Sequence, residues 1–167
     1  VDVVGVDTVG IDAVGVDVVG VDGAGGALIA PLRSEADVDR LLLGVHARLG
    51  HCATLDEQLD ALMAIITEVV DAERATLFLE DAATGELYAR VAVGVGTRVI
   101  RLLNTDGVAG HVFQSRQSVV VLDTAAEPHF DPRIDGLTGF RTLSLLCVPR
   151  RTVDGTVIGV AQALNKR

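Results

Sequence analysis

From Ser34 onward the apolar residues of this chain follow two periods in succession, and that succession limits the fold more than any other feature. Val38, Leu41, Leu42, Val45 and Leu49 recur at three- and four-residue spacing, which puts them on one face of a helix. Ser34, with Asp37 three places on, caps the start of that helix, and Gly50 stops it. Thr54 and Glu57 then form a capping box for a second helix. Its Leu55, Leu59, Leu62, Met63, Ile66, Val69 and Val70 make one wide apolar face, and it ends near residues 71–73.

From Ala75 the chain turns to short strands bounded by turn residues. Residues 75–80 and 86–93 flank Asp81 to Gly85, a hairpin loop by composition, and 98–103 is a third strand. Gly107 to Arg116 has the character of a short helix with Thr105 or Asp106 as its N-cap. Residues 118–122 form a fourth strand, and the loop-rich stretch from Asp123 to Arg141, with Pro128 and Pro132, holds one short helix. Residues 143–148 and 156–164 are two more strands, joined by a turn at Val153-Asp154-Gly155. Two leading helices and six strands predict an α+β domain with a six-stranded, mainly antiparallel sheet.

Residues 1–30 stand apart. They read VDVVG, VDTVG, IDAVG, VDVVG and VDGAG, with Asp at 2, 7, 12, 17 and 22 and Gly at 5, 10, 15, 20 and 25. A period of five matches neither a helix nor a strand. A solenoid with five residues per side would have only a few short turns, too few to build a core. The stretch is expected to be a low-complexity extension, loosely held, with an ordered strand or an oligomer contact as the alternative. Its valines make it prone to β-aggregation where exposed. The chain therefore divides into an extension, 1–30, and a folded domain, 31–167.

The formal net charge of −9 argues against nucleic acid or an anionic membrane surface as a partner. No apolar run is long enough to span a bilayer, and the apolar N-terminus lacks the basic start of a signal peptide. Cys52 and Cys147 are far apart and form no framework of pairs, which points to a reducing cytoplasm. Cys147, inside LLCVP, has the setting of a small hydrophobe. His111 has no metal-ligand partner at a suitable spacing, His129 is isolated beside Pro128, and His46 and His51 fall on the wet side of the first helix. Gly94-Val95-Gly96 lacks the third Gly of a dinucleotide fingerprint and reads as a turn. No metal or cofactor is expected.

Four segments carry chemistry by their order: GVAGHV from Gly107, TGFRT at Thr138 to Thr142, LLCVP at Leu145 to Pro149, and GVAQALNK at Gly159 to Lys166. Together they resemble the GAF domain, the small-molecule sensing module of cyclic-nucleotide phosphodiesterases, bacterial adenylate cyclases and many signalling kinases. The resemblance covers roughly Val38 to Lys166. It implies helices on both faces of the sheet, a GAF/PAS-like arrangement, with a ligand held between one face and a lid made of 107–116 and 123–141. The implied protein is a cytoplasmic sensor domain of a longer, bacterial-style signalling protein whose output domain follows the last residue. It is a homodimer through its N-terminal helices and not an enzyme. The implied ligand is a small molecule, with cyclic AMP or cyclic GMP first. A ligand-free dimerisation or scaffold module is the alternative.

The resemblance also implies a site. Val108 and Ala109 match backbone contacts near a cyclic phosphate at the start of the lid helix, where unpaired N–H groups and the helix dipole favour an anion. Asp135, Thr138 and Thr142 match the polar positions of a D-x-x-T-G-F-x-T pattern. Thr76 matches a Ser on the first long strand, and Gln162 stands where a Glu is frequent. Asn165 and Lys166 match the start of an NKFDE signature, whose Lys pairs with a distant Asp and locks the pocket. Asp and Thr also favour turns and caps, so a structural use of Asp135, Thr138 and Thr142 stands beside ligand contact.

Two departures weaken base recognition. Ala92 and Val93 occupy the second-strand positions where a Phe-Asp pair stacks on a purine and binds its edge. Losing the stack removes about 1–3 kcal/mol, and an unmatched polar edge adds about 1–3 kcal/mol. Other activities of this fold fit poorly. Bilin attachment needs a Cys within 104–142, where none occurs, and Cys52 and Cys147 do not look like the redox pair of a methionine-sulfoxide reductase.

Overall fold

The structure, a computed structural model, describes residues 8–9, 18–19, 35–93 and 96–167, without the side chains of 8–9, 18–19, 35, 37 and 90–98. Most of the pentad repeat and the expected cap Ser34 lie outside the described residues. Within the repeat, β1 (Thr8–Val9) and β2 (Val18–Val19) pair antiparallel, with Thr8 opposite Val19.

The helices form where capping and periodicity place them: α1 spans Glu35–Gly50 and α2 spans Leu55–Val70. Thr54 Oγ1 accepts the Glu57 N–H at 3.2 Å, and Glu57 Oε2 accepts the N–H groups of Thr54 at 3.2 Å and Ala53 at 2.7 Å. Asp71, left-handed at φ 52°, ends α2 by turning its N–H back to Thr67 and Glu68. Arg48 ties α1 to α2 through Glu68 at 2.7 Å.

Six strands follow: β3 (Ala72–Asp81), β4 (Glu86–Val93), β5 (Gly96–Leu103), β6 (Val119–Val121), β7 (Leu145–Arg151) and β8 (Val157–Lys166). They form one antiparallel sheet in the order β5-β4-β3-β8-β7-β6. Strand β3 is longer than the sequence suggests because β8 pairs with it from Ala72 to Leu79 and β4 from Leu79 to Asp81. Strand β6 is shorter, being an edge paired with β7 alone. Its pairing ends opposite Cys147, so Pro149 has β8 on one side only, where a missing N–H is tolerated.

Helices cover both faces. On one, Val70 packs with Ala72, Leu146 and Ala163. On the other, α3 (Gly107–Ser115) buries Val108, Ala109 and Val112 against Phe78, Leu87, Ile100, Leu145, Cys147 and Val160. A 3-10 turn (Thr124–Ala126) and α4 (Pro132–Thr138) fill the connection from β6 to β7. Gly110 lets α3 lie directly on the strand-to-helix loop, since a Cβ there would overlap the Thr105 backbone.

Candidate functional site

The second face of the sheet carries a cleft. Its floor is alternate residues of neighbouring strands: Arg74, Thr76 and Phe78 from β3, Gln162 and Leu164 from β8, Ile100 and Leu102 from β5, and Leu145 from β7. Thr76 and Gln162 are register partners, so the two polar groups lie side by side. The roof is Asp106, Gly107, Val108 and Ala109 at the start of α3, Ile134, Asp135 and Thr138 of α4, and Phe130, Asp131, Phe140 and Thr142 from the flanking segments. The cleft encloses about 660 Å³ counted out to its open mouth, open solvent included.

Thr76, Val108, Ala109, Asp135, Thr138, Thr142 and Gln162 all line this cleft. They differ in what they have free. Asp135 uses both carboxylate oxygens on Thr142, accepting its N–H at 2.7 Å and its hydroxyl at 2.7 Å. Thr138 donates its hydroxyl to the Ile134 carbonyl at 3.1 Å and accepts the Phe140 N–H at 3.3 Å. These three therefore stitch α4 to the segment entering β7, whatever else they touch. Val108 and Ala109 are 4% and 3% exposed and belong to the core. Thr76 is different: its hydroxyl makes no hydrogen bond with the described residues. Gln162 makes only a weak contact, from Nε2 to Cys147 Sγ at 3.6 Å.

Lys166 lies outside the cleft. Strict alternation along β8 would put residues 160, 162, 164 and 166 on one face. Asn165, left-handed at φ 52°, breaks that alternation and delivers Lys166 to the opposite face, beside Val70 and Ala163. There it meets Asp71 Oδ2 at 3.5 Å, at the C-cap of α2. Asn165 itself is buried and fully used. Its Oδ1 accepts the N–H groups of Leu143 at 2.7 Å and Ser144 at 3.3 Å, and its Nδ2 donates to Arg141 O at 2.8 Å and Glu73 Oε2 at 3.0 Å.

The fold corrects the reading of His129 as isolated: its ring stacks on His111 with centroids 4.1 Å apart, and its Nδ1 lies 2.8 Å from Glu127 Oε1. No group of three or more potential ligands that could hold a metal occurs among the described residues. Burial pushes the Cys147 thiol up to about 12, which keeps it protonated and unreactive near neutrality. Both cysteines are free. The Arg133 guanidinium beside Asp131 holds that carboxyl below the usual carboxylate range, and Arg133 also feels Asp106.

A six-stranded antiparallel sheet with helices on both faces and a roofed cleft on one of them is an α+β architecture. The chain belongs to the GAF domain family, whose profile matches residues 54–167. It is 36% identical over 117 residues to the dual 3',5'-cyclic-AMP and -GMP phosphodiesterase 11A of Takifugu rubripes, covering 63% of this chain and 13% of that protein. It is 29% identical over 148 residues to the probable 3',5'-cyclic phosphodiesterase pde-5 of Caenorhabditis elegans, covering 81% and 20%. The chain thus spans a fifth or less of the length of these relatives. Among solved structures, the GAF domain of a Coxiella burnetii phosphoenolpyruvate-protein phosphotransferase matches with TM-score 0.65 at 19% identity, covering 80% of this chain and 81% of that one. The free methionine-R-sulfoxide reductase of Neisseria meningitidis, solved with its substrate, matches with TM-score 0.60 at 20% identity, covering 83% and 79%. At these identities the likeness concerns the fold alone.

Sequence reasoning missed Arg74, Phe130 and Phe140 as cleft residues. Arg74 shares the strand face of Thr76 two places on, a signal that alternation alone could have given. Phe140 stands inside the TGFRT segment. The Ala92 and Val93 positions fall where side chains lie outside the described residues; their backbone pairs in β4, with Ala92 opposite Thr97. No helix among the described residues is long and apolar enough to cross a membrane.

Proposed function

We propose that this GAF domain is a regulatory sensor that binds a small ligand in the roofed cleft, a cyclic nucleotide first, and relays the binding to an output domain. The observation that carries this reading is the floor of the cleft. A hydroxyl with no hydrogen-bond partner among the described residues and a weakly engaged amide sit together among apolar walls, an arrangement that a ligand completes. The phosphodiesterase relatives support a cyclic nucleotide. Phe130 and Phe140 offer aromatic faces in the roof where the second strand carries Ala92 and Val93 instead.

The roof is wired to the far face of the sheet. Asp135 holds Thr142, the neighbouring Arg141 carbonyl holds Asn165, and Asn165 holds Glu73 just past the end of α2. A ligand that favours one roof position therefore biases the α2 end, by as much as its affinity differs between the two positions.

Calorimetric titration of the full chain with cyclic AMP and cyclic GMP tests this. Micromolar or tighter binding is expected for one of them. Thr76→Val should weaken it at least fivefold while leaving the melting temperature unchanged. No heat from a folded sample with either nucleotide would sink the cyclic-nucleotide reading.

One observation favours a second reading, a dimerisation module: α1 leaves Leu42 and Leu43 at 38% and 72% exposure. A ligand-independent dimer by sedimentation, broken by Leu43→Lys, would support it. A monomer at micromolar concentration would not.

A further inference from the structure

The geometry points to Arg74 as an anion-recognising residue of the cleft, holding a phosphate or carboxylate group of the ligand. This rests on the reading of the cleft as a ligand site, and it goes beyond that reading by naming which residue meets the ligand's charge. Arg74 is partly buried, lines the floor, and has no hydrogen bond or ion pair with any described residue. Its one contact of note is a cation–π stack, with its guanidinium carbon 4.3 Å from the centre of the Phe140 ring. A guanidinium stays charged at any physiological pH, and holding a charge partly out of water without a counter-charge is costly. Three other arginines have carboxylate partners: Arg101 with Asp81 and Glu86, Arg48 with Glu68, and Arg133 with Asp131. Stacking on Phe140 fixes the plane of the fork and leaves its N–H edge free to take an oxyanion in two parallel bonds. Thr76, two residues along the same strand face, adds a hydroxyl that makes no hydrogen bond with the described residues.

The start of α3 repels an anion. Asp106 is the N-cap of α3 but its side chain makes no capping hydrogen bond. Asp106 and Asp131 both line the cleft, and the single charge of Arg133 serves both carboxylates, which leaves a net negative charge beside the helix start. An anionic group entering the cleft is therefore driven from the α3 terminus, where the family resemblance would seat it, toward Arg74.

The test uses the full chain, wild type and the variants Arg74→Gln, Arg74→Lys and Arg101→Gln. Affinities are measured for cyclic AMP and cyclic GMP against the uncharged adenosine and guanosine. Melting temperatures are followed in inorganic phosphate and in acetate, each against chloride at equal ionic strength. Arg74→Gln should weaken the better cyclic nucleotide at least tenfold and leave its nucleoside within twofold, a loss typical of one charge-assisted bidentate contact. Arg74→Lys should fall between, and Arg101→Gln should match wild type. Should neither cyclic nucleotide bind, stabilisation of wild type but not Arg74→Gln by phosphate or by acetate would keep the anion site, name its chemistry and discard the nucleotide. The proposal is overturned if Arg74→Gln binds the cyclic nucleotide as wild type does. It is equally overturned if nothing binds and both anions affect wild type and Arg74→Gln alike. Arg74→Lys carries the comparison if Arg74→Gln does not melt cooperatively.

Discussion

Replacing Asn165 with Ala should cost more than its size suggests, because the side chain does two jobs at once. It makes four hydrogen bonds that hold the Arg141–Ser144 segment and Glu73 to the end of β8. It also occupies a left-handed conformation, φ 52°, that Asn tolerates better than Ala. Removing the amide leaves the Leu143 N–H without its 2.7 Å acceptor, at a cost of about 1–3 kcal/mol. The left-handed backbone adds about 1 kcal/mol, and the three remaining bonds add about 1 kcal/mol together after water replaces them in part. The sum is about 3–5 kcal/mol, which for a domain of this size lowers the melting temperature by roughly 10–20 °C. Urea and thermal unfolding of Asn165→Ala, Asn165→Gly and Asn165→Asp separate the contributions. Asn165→Gly should recover about 1 kcal/mol relative to Ala, since Gly takes the left-handed region without strain. Asn165→Asp keeps both acceptor bonds but sets a second carboxylate beside Glu73, and should remain destabilised. A loss below about 1 kcal/mol for Asn165→Ala, or an Asn165→Gly variant no better than Ala, would refute the reasoning.

Two other predictions are independent of any ligand. Gly110→Ala should destabilise by about 2 kcal/mol or more, read as a lower urea midpoint, because the new Cβ overlaps backbone and not a movable side chain. An unchanged midpoint would mean α3 can slide off its loop. Cys147 is fully buried and its thiol is pushed from 9.0 up to about 12. The folded state therefore keeps its proton longer than the unfolded one, so this contribution is whole below pH 9 and is lost as pH rises from 9 toward 12. Across that window the wild type should lose about 4 kcal/mol more than Cys147→Ala. Parallel pH profiles for the two proteins would show that the site is wetter than the packing indicates.

Much of the site was legible because it lies on regular elements. Thr76 and Gln162 point into the cleft by strand alternation, and Gly107 to Ala109 open a helix where a glycine-led segment follows Asp106. The helical periods, the Thr54 capping box and the hairpin composition determined the α+β class from local preferences alone. Where those preferences are interrupted, only the tertiary structure decides the placement. Lys166 continues the alternation of Gln162 and Leu164 on paper, yet one left-handed residue turns it to the Asp71 side. His111 and His129 are eighteen places apart and meet only because α3 and the loop before α4 share one roof. Arg74 is an ordinary charged residue in the sequence. It becomes a cation with no ion-pair partner among the described residues, facing a cleft, only when β3 is paired with β8 and Phe140 is folded over it.

Sequence by itself determined which segments are helix and strand, because propensity, capping and periodicity act over a few residues. The tertiary structure alone decided which charges are paired and which are left over. Pairing depends on residues far apart in the chain reaching a few ångströms of one another, and no local pattern encodes that distance.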